Sequence, residues 1–375
     1  MAQFQAAVPK TKLGRYRQLA PLAGLHVSPI VLGAMSIGNT SGATIGSAVD
    51  KDTSFKFLDA YFDAGGNFID TANYYLEGSS EEVIGEWMEF RGIRDQVVLA
   101  TKYTLPFKFK EENITQRVNF IGNNMKSLHV SVESSLKKLR TNYIDILYVH
   151  LWDWTCGVEE IVNGLHHLVA AGKVLYLGIS DTPAWIVSKA NMYARQTGKT
   201  PFAVYQGAWS VVYRDIERDI VPMVKAEGMA LCPFGVLGAG KIRTDAEEES
   251  RRETGVKGWE RSEAEKTIAK VLEGVAAEVG ANTIQAVAIA YVMHKMPYVF
   301  PIIGGRKVEQ LHANIQALDI VLTPEHIKRL EDALPFDPGF PIKFIGDGSA
   351  YAPFYSMAAQ FDKWPAPQPI RLSTN

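Results

Sequence analysis

The sequence predicts an α/β fold of the (β/α)8 (TIM) barrel class, with an N-terminal β-hairpin and extra C-terminal helices. Eight short, continuously apolar segments have the composition of buried parallel strands, and a helical pattern follows each of them. The count of eight favours a closed barrel over an open doubly wound sheet. Because no linker or low-complexity segment interrupts the chain, we predict one domain over residues 1–375, with the barrel at about 28–320 and a C-terminal helix and tail at 321–375.

The predicted strands are apolar runs bounded by turn residues. They lie at residues 28–33, 67–69, 96–102, 143–150, 174–180, 202–206, 229–233 and 298–303. A hairpin at 16–19 and 24–27 precedes them, because apolar and polar residues alternate there around a glycine. Strands three and four end on Lys102 and His150, so the barrel carries titratable side chains where its strands stop.

The predicted helices have apolar residues at helical spacing and capping residues at their ends. They lie at residues 52–64, 79–90, 127–139, 158–171, 216–226, 264–279, 284–294, 308–317 and 323–334, with one more after residue 183. Serine at 79–80 is expected to cap the second helix, and 181–183 to cap the fifth, with proline at a favoured first position. Residues 235–263 are expected to form a glycine- and charge-rich loop, and 336–375 an aperiodic tail.

Composition narrows the classes of partner. With 47% hydrophobic residues the chain can bury a large core, and its formal net charge of -2 creates no strong field toward nucleic acid or an anionic membrane. Cys156 and Cys232 are too few for a disulfide framework. Residues 1–12 carry no targeting pattern, and no apolar run approaches membrane-spanning length. We therefore expect a soluble cytoplasmic protein with a small neutral or aromatic partner and no metal site.

Four polar residues fall at or just beyond the ends of strands two, three and four: Asp70, Tyr75, Lys102 and His150. In a parallel barrel, catalytic groups collect at this edge. A tyrosine, with its ordinary pKa near ~10, needs a nearby cation to act as a general acid near neutral pH, and a lysine paired with an aspartate supplies one. A histidine can polarise or orient a carbonyl group.

Each of the four also has a simpler interpretation. Asp70 could be a cap and Tyr75 a packed aromatic ring, while His150 could be a hydrogen-bonded core residue and Lys102 a solvated loop residue. Because all four share one edge of the barrel, the joint catalytic interpretation is favoured.

Three segments of the sequence resemble a known family. The segments DTANYY at 70–75, ATK at 100–102 and YIDILYVH at 143–150 are similar to the aldo-keto reductase superfamily, and the resemblance covers nearly the whole chain. It implies a tetrad in which Tyr75 donates the proton in reduction, Lys102 and Asp70 tune that tyrosine, and His150 orients the carbonyl. Within the superfamily, segments 205–209, 214–220 and 301–307 look most like fungal aryl-alcohol dehydrogenases and norsolorinic acid reductase-like enzymes of polyketide toxin pathways.

The resemblance also implies an NADP(H) cofactor. It places the nicotinamide carboxamide against Ser180, Asp181 and Gln206, with the ring of Trp209 under the nicotinamide. Asp181 stands where asparagine is usual, and Trp209 where tyrosine is usual. A tryptophan keeps the stacking face, whereas an aspartate accepts hydrogen bonds and donates none unless it is protonated.

Phosphate recognition is expected without a Rossmann fingerprint, since no Gly-x-Gly-x-x-Gly opens the first helix. The segment GGRK at 304–307 puts two cations at a helix N-terminus, which suits a bound phosphate, although a solvated basic turn has the same composition. The glycine-rich segment 234–241 would let backbone approach the pyrophosphate, or could be a flexible loop. The resemblance implies these phosphate-side residues: Gly235, Leu237, Gly238, Gly240, Lys241, Gly304, Arg306, Lys307, Gln310 and Asn314.

Trp152 and Trp154 follow His150 and suggest an apolar, aromatic substrate pocket, or packing beneath the tail. The hypothesis is an NADPH-dependent carbonyl reductase acting on an aromatic aldehyde or ketone, or oxidising the aryl alcohol, in fungal polyketide or mycotoxin metabolism. Two alternatives stay open. One is a non-catalytic NADP(H)-sensing subunit of the same fold, and the other a barrel hydrolase, whose carboxylate pair would have mainly Asp70 and Asp181 to draw on.

Overall fold

Eight parallel strands form the central sheet, and a two-stranded antiparallel hairpin precedes them in the chain. The computed structural model describes residues 6–39, 48–252 and 260–370. The hairpin consists of β1 (Arg17–Ala20) and β2 (Ala23–Val27). The barrel strands are β3 (Val31–Gly33), β4 (Phe68–Asp70), β5 (Val98–Tyr103), β6 (Ile144–Val149), β7 (Val174–Ser180), β8 (Val204–Ala208), β9 (Ala230–Phe234) and β10 (Ile302–Ile303).

The sheet curls into a nearly closed barrel. The strand order is β10-β3-β4-β5-β6-β7-β8-β9, so each strand pairs with its neighbour in sequence and β10 returns to β3. The segment before β10 completes the ring, because Leu231 N–H donates to the Tyr298 carbonyl at 2.9 Å and Phe300 N–H donates to the Leu231 carbonyl at 2.9 Å. The predicted (β/α)8 barrel and its N-terminal hairpin are confirmed.

Helices pack around the barrel and extend past it. They are α1 (Lys51–Asp63), α2 (Ser79–Arg91), α3 (Met125–Lys138), α4 (Val158–Ala170), α5 (Ala184–Gln196), α6 (Ile220–Glu227), α7 (Asp245–Arg252), α8 (Glu263–Val279), α9 (Ile284–Lys295), α10 (Val308–Ile315), α11 (Pro324–Ala333) and α12 (Ile342–Ile345). Within the described ranges, no single helix has both the length and the apolar character to cross a membrane. The pair α8 and α9 meets those two criteria only when taken together across an 87° bend.

Helix α7 lies where the sequence predicted only a loop. Its sequence, DAEEESRR, has no apolar stripe, so helical periodicity cannot reveal it. Tertiary contacts hold it instead: the buried Arg261 guanidinium donates to Glu248 at 2.6 Å and to Asp245 at 2.5 Å. Residues 253–259 of the predicted loop lie outside the described residues.

Two predicted helix caps are wrong. The N-cap of α2 is Gly78, in a left-handed conformation, and among the described residues no side chain caps this helix. The Ser80 hydroxyl instead lies 2.8 Å from the Thr71 hydroxyl and donates to the Ala34 carbonyl at 3.0 Å. The N-cap of α5 is Pro183, again with no capping side chain in the part of the chain that the structure describes, so Asp181 does not cap it.

Alternation along each strand separates two layers of core. Phe68 and Ala100 point into the barrel, where they pack with the apolar side chains of the hairpin. Ile69 points outward into the larger core between the strands and the surrounding helices. Because successive side chains on a strand point to opposite faces, Asp70 and Lys102 share the inward direction of Phe68 and Ala100. The strand register therefore places both charged groups inside the barrel, at its C-terminal end.

The tail starts beside the connection between β8 and α6 and packs largely on itself. The Arg218 guanidinium lies 4.7 Å from the ring centre of Phe336 and donates to the Asp337 carbonyl at 3.1 Å. Farther on, the ring of Tyr355 stacks at 5.2 Å on Tyr351 and contacts Phe361 at 5.4 Å. These contacts place the start of the tail against the connection between β8 and α6.

At Gly85, helix α2 lies close to the backbone at the C-terminal end of α3. A Cβ at Gly85 would lie 2.4 Å from the Lys138 carbonyl oxygen and 2.7 Å from Leu139 Cα. We expect Gly85→Ala to lower the free energy of unfolding by about 1–3 kcal/mol, because backbone must move. Gly274 is an exposed position of α8 with open space around it among the described residues. Gly274→Ala should therefore raise the free energy of unfolding by about 0.5–1 kcal/mol. Urea denaturation followed by circular dichroism measures both, and equal effects at the two sites would contradict the close approach.

Candidate active site

The four predicted catalytic side chains lie together at the C-terminal end of the barrel. Lys102 Nζ is 2.5 Å from Asp70 Oδ1 and 3.4 Å from the phenolic oxygen of Tyr75. The rings of Tyr75 and His150 meet edge to face with their centres 6.0 Å apart. Lys102 is completely buried and Asp70 is 3% exposed, which rules out the solvated-loop interpretation of the lysine.

The strand ends set this arrangement through backbone pairing. Asp70 pairs with Ala100 across β4 and β5, and beyond the strand the Asn73 N–H donates to the Lys102 carbonyl at 3.2 Å. The chain then turns sharply after Tyr75, with Leu76 at φ 49° and Glu77 at φ 62°. Two consecutive left-handed residues that are not glycine cost about 1–3 kcal/mol each. The contacts on either side must therefore hold this turn in place.

Glu81 supplies one of those contacts, and no pattern in the sequence reveals this role. Its side chain is fully buried, accepts a hydrogen bond from the Thr101 hydroxyl at 2.6 Å, and lies 2.6 Å from Lys138 Nζ. In sequence Glu81 looks like an ordinary acidic residue in a first helical turn. Its partners on β5 and α3 are distant in the chain, so only the folded structure identifies it as an anchor of the Tyr75 turn.

Gln206 joins the tetrad to the next part of the barrel. Its side-chain amide donates to Asp70 Oδ2 at 2.9 Å, while Asp70 Oδ1 accepts from Lys102. Gln206 lies on β8, directly opposite Ser180 on β7. The family resemblance assigned Gln206 to the cofactor alone, whereas the structure also makes it a partner of Asp70.

Burial and charge set the protonation states. Burial raises the pKa of Tyr75, and Lys102 offsets this only in part, so the phenol keeps its proton at neutral pH. Burial opposes the charge on Lys102, but Asp70 and Tyr75 outweigh it and raise the pKa of the amine. Burial, with a smaller contribution from Lys102, lowers the pKa of His150 to about 3. The site thus holds a neutral phenol, an ammonium and a neutral imidazole, which can protonate and orient a carbonyl oxygen.

The predicted nicotinamide side lies beyond the tetrad, at the ends of β7 and β8. Ser180 is buried at the last position of β7, and Asp181 follows it with an exposed side chain. Trp209 is only 1% exposed, and its indole N–H donates to Glu217 at 2.9 Å. The hydroxyl, carboxylate and amide of Ser180, Asp181 and Gln206 form a donor and acceptor set that suits a carboxamide.

The predicted phosphate side follows on β9 and β10. Three glycines after β9 have positive φ: Gly235, Gly238 and Gly240. Leu237 lies between them, and Lys241 Nζ is 3.6 Å from Glu265. After β10, a Cβ at Gly304 would lie 3.4 Å from the Gly33 carbonyl, and one at Gly305 would lie 3.0 Å from the Phe57 ring. The loop after β9 therefore needs glycine for its positive φ angles, and the turn after β10 needs it at Gly305, where a side chain would crowd the Phe57 ring.

Two exposed cations, Arg306 and Lys307, stand at the start of α10. Gln310 accepts a long hydrogen bond of 3.4 Å from the Arg306 N–H, and Asn314 is buried deeper in the helix. Cations beside unsatisfied helix N–H groups suit a phosphate. Taken in barrel order, the predicted cofactor residues lie at the ends of β7 and β8, in the loop after β9, and in the turn and helix after β10. Apart from Trp209, whose ring is almost completely buried, the residues present fit a nicotinamide nucleotide.

Known proteins are similar to this chain over nearly its full length. The sequence model of the aldo/keto reductase family matches residues 29–335. The chain belongs to the aldo/keto reductase family. It is 59% identical to the NADP(+) aryl-alcohol dehydrogenase of Phanerodontia chrysosporium, over 98% of each chain. It is 50% identical to norsolorinic acid reductase A of Aspergillus parasiticus, over 98% of this chain and 93% of that one, and 50% identical to aldo-keto reductase ausK of Emericella nidulans, over 91% and 87%.

The two predicted pocket tryptophans of this aldo/keto reductase have different environments. Trp152 is 9% exposed and belongs to the hydrophobic core. Trp154 is 67% exposed and has φ 63°. The loop between them is held by reciprocal hydrogen bonds of Asp153 with Asn123, at 2.7 and 2.9 Å. Of the two tryptophans that follow His150, therefore, only Trp154 presents an indole face to solvent.

The lowered pKa of His150 makes stability depend on pH. Between about pH 3 and its ordinary value of 6.5, the unfolded chain binds a proton that the folded reductase does not, so stability falls as pH falls through this window. Between pH 8 and pH 5 the free energy of unfolding should fall by about 2 kcal/mol more in the wild type than in His150→Gln. Urea titrations at both pH values measure this, with the exposed His129→Gln as control. Equal losses in wild type and His150→Gln would show that the imidazole is not held neutral.

Proposed function

We propose that this aldo/keto reductase catalyses the NADPH-dependent reduction of aromatic aldehydes or ketones, and the reverse oxidation of aryl alcohols. The observation that carries the proposal is the buried chain from Asp70 through Lys102 to Tyr75, with the neutral ring of His150 beside it. This is the arrangement needed to donate a proton to a carbonyl oxygen and to stabilise the phenolate left behind.

The roles of the side chains follow from their charges. Bound NADPH supplies the hydride that the carbonyl carbon accepts. As negative charge develops on the carbonyl oxygen, Tyr75 gives it the phenolic proton, and the Lys102 ammonium 3.4 Å away stabilises the resulting phenolate. Asp70 keeps the ammonium charged, and Gln206 holds the second oxygen of that aspartate. His150, neutral at working pH, orients the oxygen without competing for the proton.

The substrate class rests on the exposed indole and on the relatives. Trp154 offers an exposed, flat apolar face four residues after His150, which suits an aromatic ring. Two similar proteins are named aryl-alcohol dehydrogenase and norsolorinic acid reductase, and the first of these names specifies an aromatic alcohol. We therefore propose an aromatic carbonyl or alcohol substrate, a setting in fungal secondary metabolism such as polyketide or mycotoxin formation, and a cytoplasmic location.

Replacing the phenol tests the catalytic proposal. Tyr75→Phe should lower kcat for an aromatic aldehyde by at least about a hundredfold, because the general acid is lost, while the Kd for NADPH stays unchanged. Tyr74→Phe is the matched control, since the Tyr74 ring packs on Phe109 at 5.7 Å. Steady-state NADPH consumption and fluorescence titration measure the two quantities.

Full turnover by Tyr75→Phe would overturn the catalytic assignment. Wild-type protein that binds NADPH but consumes none with any aromatic aldehyde or ketone would support a cofactor-sensing role instead.

The substrate proposal has its own test. Trp154→Ala should raise KM for an aromatic aldehyde by roughly two- to tenfold, the size of an aromatic contact, and leave KM for a short aliphatic aldehyde unchanged. Trp185→Ala is the control, because Trp185 is 63% exposed on α5. Equal effects on aromatic and aliphatic substrates would contradict stacking on Trp154.

A further inference from the structure

Asp181 is an acidic residue whose charge the proposed mechanism does not use. It follows Ser180 at the end of β7, and its backbone N–H donates to the Gln206 carbonyl at 3.2 Å. Its φ is 41°, in the left-handed region, where aspartate and asparagine are better tolerated than other residues with a side chain. The backbone therefore fixes Asp181 beside the carboxamide-binding set, and only a few residue types can stand there.

The carboxylate of Asp181 has no structural role that accounts for it. It does not cap α5, whose N-cap is Pro183. Across the described ranges it takes part in no ion pair and no side-chain hydrogen bond. An unpaired carboxylate at the mouth of a site is a charge available to a ligand.

This charge faces the tetrad. Lys102 on β5 attracts it, and it contributes to the raised pKa values of Tyr75, after β4, and Tyr205, on β8. Asp219, before α6, also acts on Tyr205. Although Asp181 is exposed to solvent, the surrounding protein still desolvates its carboxylate and raises the pKa to about 6, with Lys102 acting in the opposite direction, so the carboxylate is mostly ionised at pH 7 and above.

We propose that the Asp181 carboxylate makes the protein bind NADP+ more tightly than NADPH. This inference rests on the proposed use of NADPH, with the nicotinamide carboxamide beside Ser180, Asp181 and Gln206 as the family resemblance implies. An aspartate accepts the carboxamide N–H in both redox states, but only the oxidised ring carries a positive charge. A full charge several ångströms away near a protein surface changes affinity by roughly tenfold. A tenfold preference for NADP+ lowers the reduction potential of the bound couple by about 30 mV, which favours reduction of the carbonyl.

The preference depends on pH in a defined direction. It is present above the pKa of Asp181 and is lost as pH falls below that value, because the protonated acid carries no charge. Bound NADP+ extends the window downward, since it stabilises the carboxylate. The adenosine and phosphate groups are identical in the two cofactors, so their own titration cancels in the ratio of the two Kd values. His150, with a pKa of about 3, stays neutral throughout.

The experiment measures the ratio of the Kd for NADPH to the Kd for NADP+ by tryptophan fluorescence at pH 8. Asp181→Asn keeps the shape and the tolerance for positive φ and removes only the charge, so the ratio should fall by roughly tenfold. Asp215→Asn is the control, because Asp215 is exposed and already neutralised by Arg218. The wild type provides a second test that needs no variant. When the pH is lowered from 8 to 5, its ratio of the two Kd values should fall toward the ratio measured for Asp181→Asn.

An unchanged ratio in Asp181→Asn, or a wild-type ratio that is the same at pH 8 and pH 5, would overturn this inference alone, since both cofactors would still bind. Failure of the wild type to bind either cofactor would overturn the proposed function and this inference with it.

Discussion

The buried ion pair between Lys102 and Asp70 is the constraint on which the rest of the site depends. An ammonium with no exposed surface costs several kcal/mol in lost hydration, and only well-placed partners offset that cost. Here the partners are one Asp70 oxygen at 2.5 Å and the Thr71 carbonyl at 2.7 Å. Because all three groups come from the ends of two neighbouring strands, the register between β4 and β5 cannot slip without leaving a charge unpaired inside the barrel.

The position of Tyr75 follows from that pair and from the contacts around it. The phenol must lie near the lysine, yet the chain has to turn immediately afterwards through two left-handed residues. Ser80 with Thr71, and Glu81 with Thr101 and Lys138, hold the start of α2 against β5 and α3. These polar anchors are buried and hydrogen-bonded, so they stabilise one conformation of the turn and keep Tyr75 in place.

Gln206 connects two halves of the barrel edge that otherwise have separate tasks. The ends of strands β4 to β6 carry the groups that we propose transfer the proton and stabilise the phenolate, and the strand ends and loops from β7 to β10 carry the residues that suit a nicotinamide nucleotide. The hydrogen bond from Gln206 to Asp70 crosses between them. Asp181 lies at the same junction, so its charge acts on both the cofactor side and the tetrad, and an unpaired carboxylate there can discriminate between ring charge states.

The sequence by itself determined the class of fold and placed the four candidate catalytic side chains at one edge of the barrel. Apolar runs, alternation and glycine stops are local patterns, and the rule that catalytic groups collect at C-terminal strand ends placed Asp70, Tyr75, Lys102 and His150 together. Features that depend on residues distant in the chain were decided only by the tertiary structure. They are the burial of Glu81, the hydrogen bond from Gln206 to Asp70, the exposure of Trp154 but not Trp152, the helix α7, and the absence, among the described residues, of a capping role for Asp181. Local patterns record how a segment is shaped, whereas a polar side chain takes its role from whichever group the fold brings within hydrogen-bonding distance.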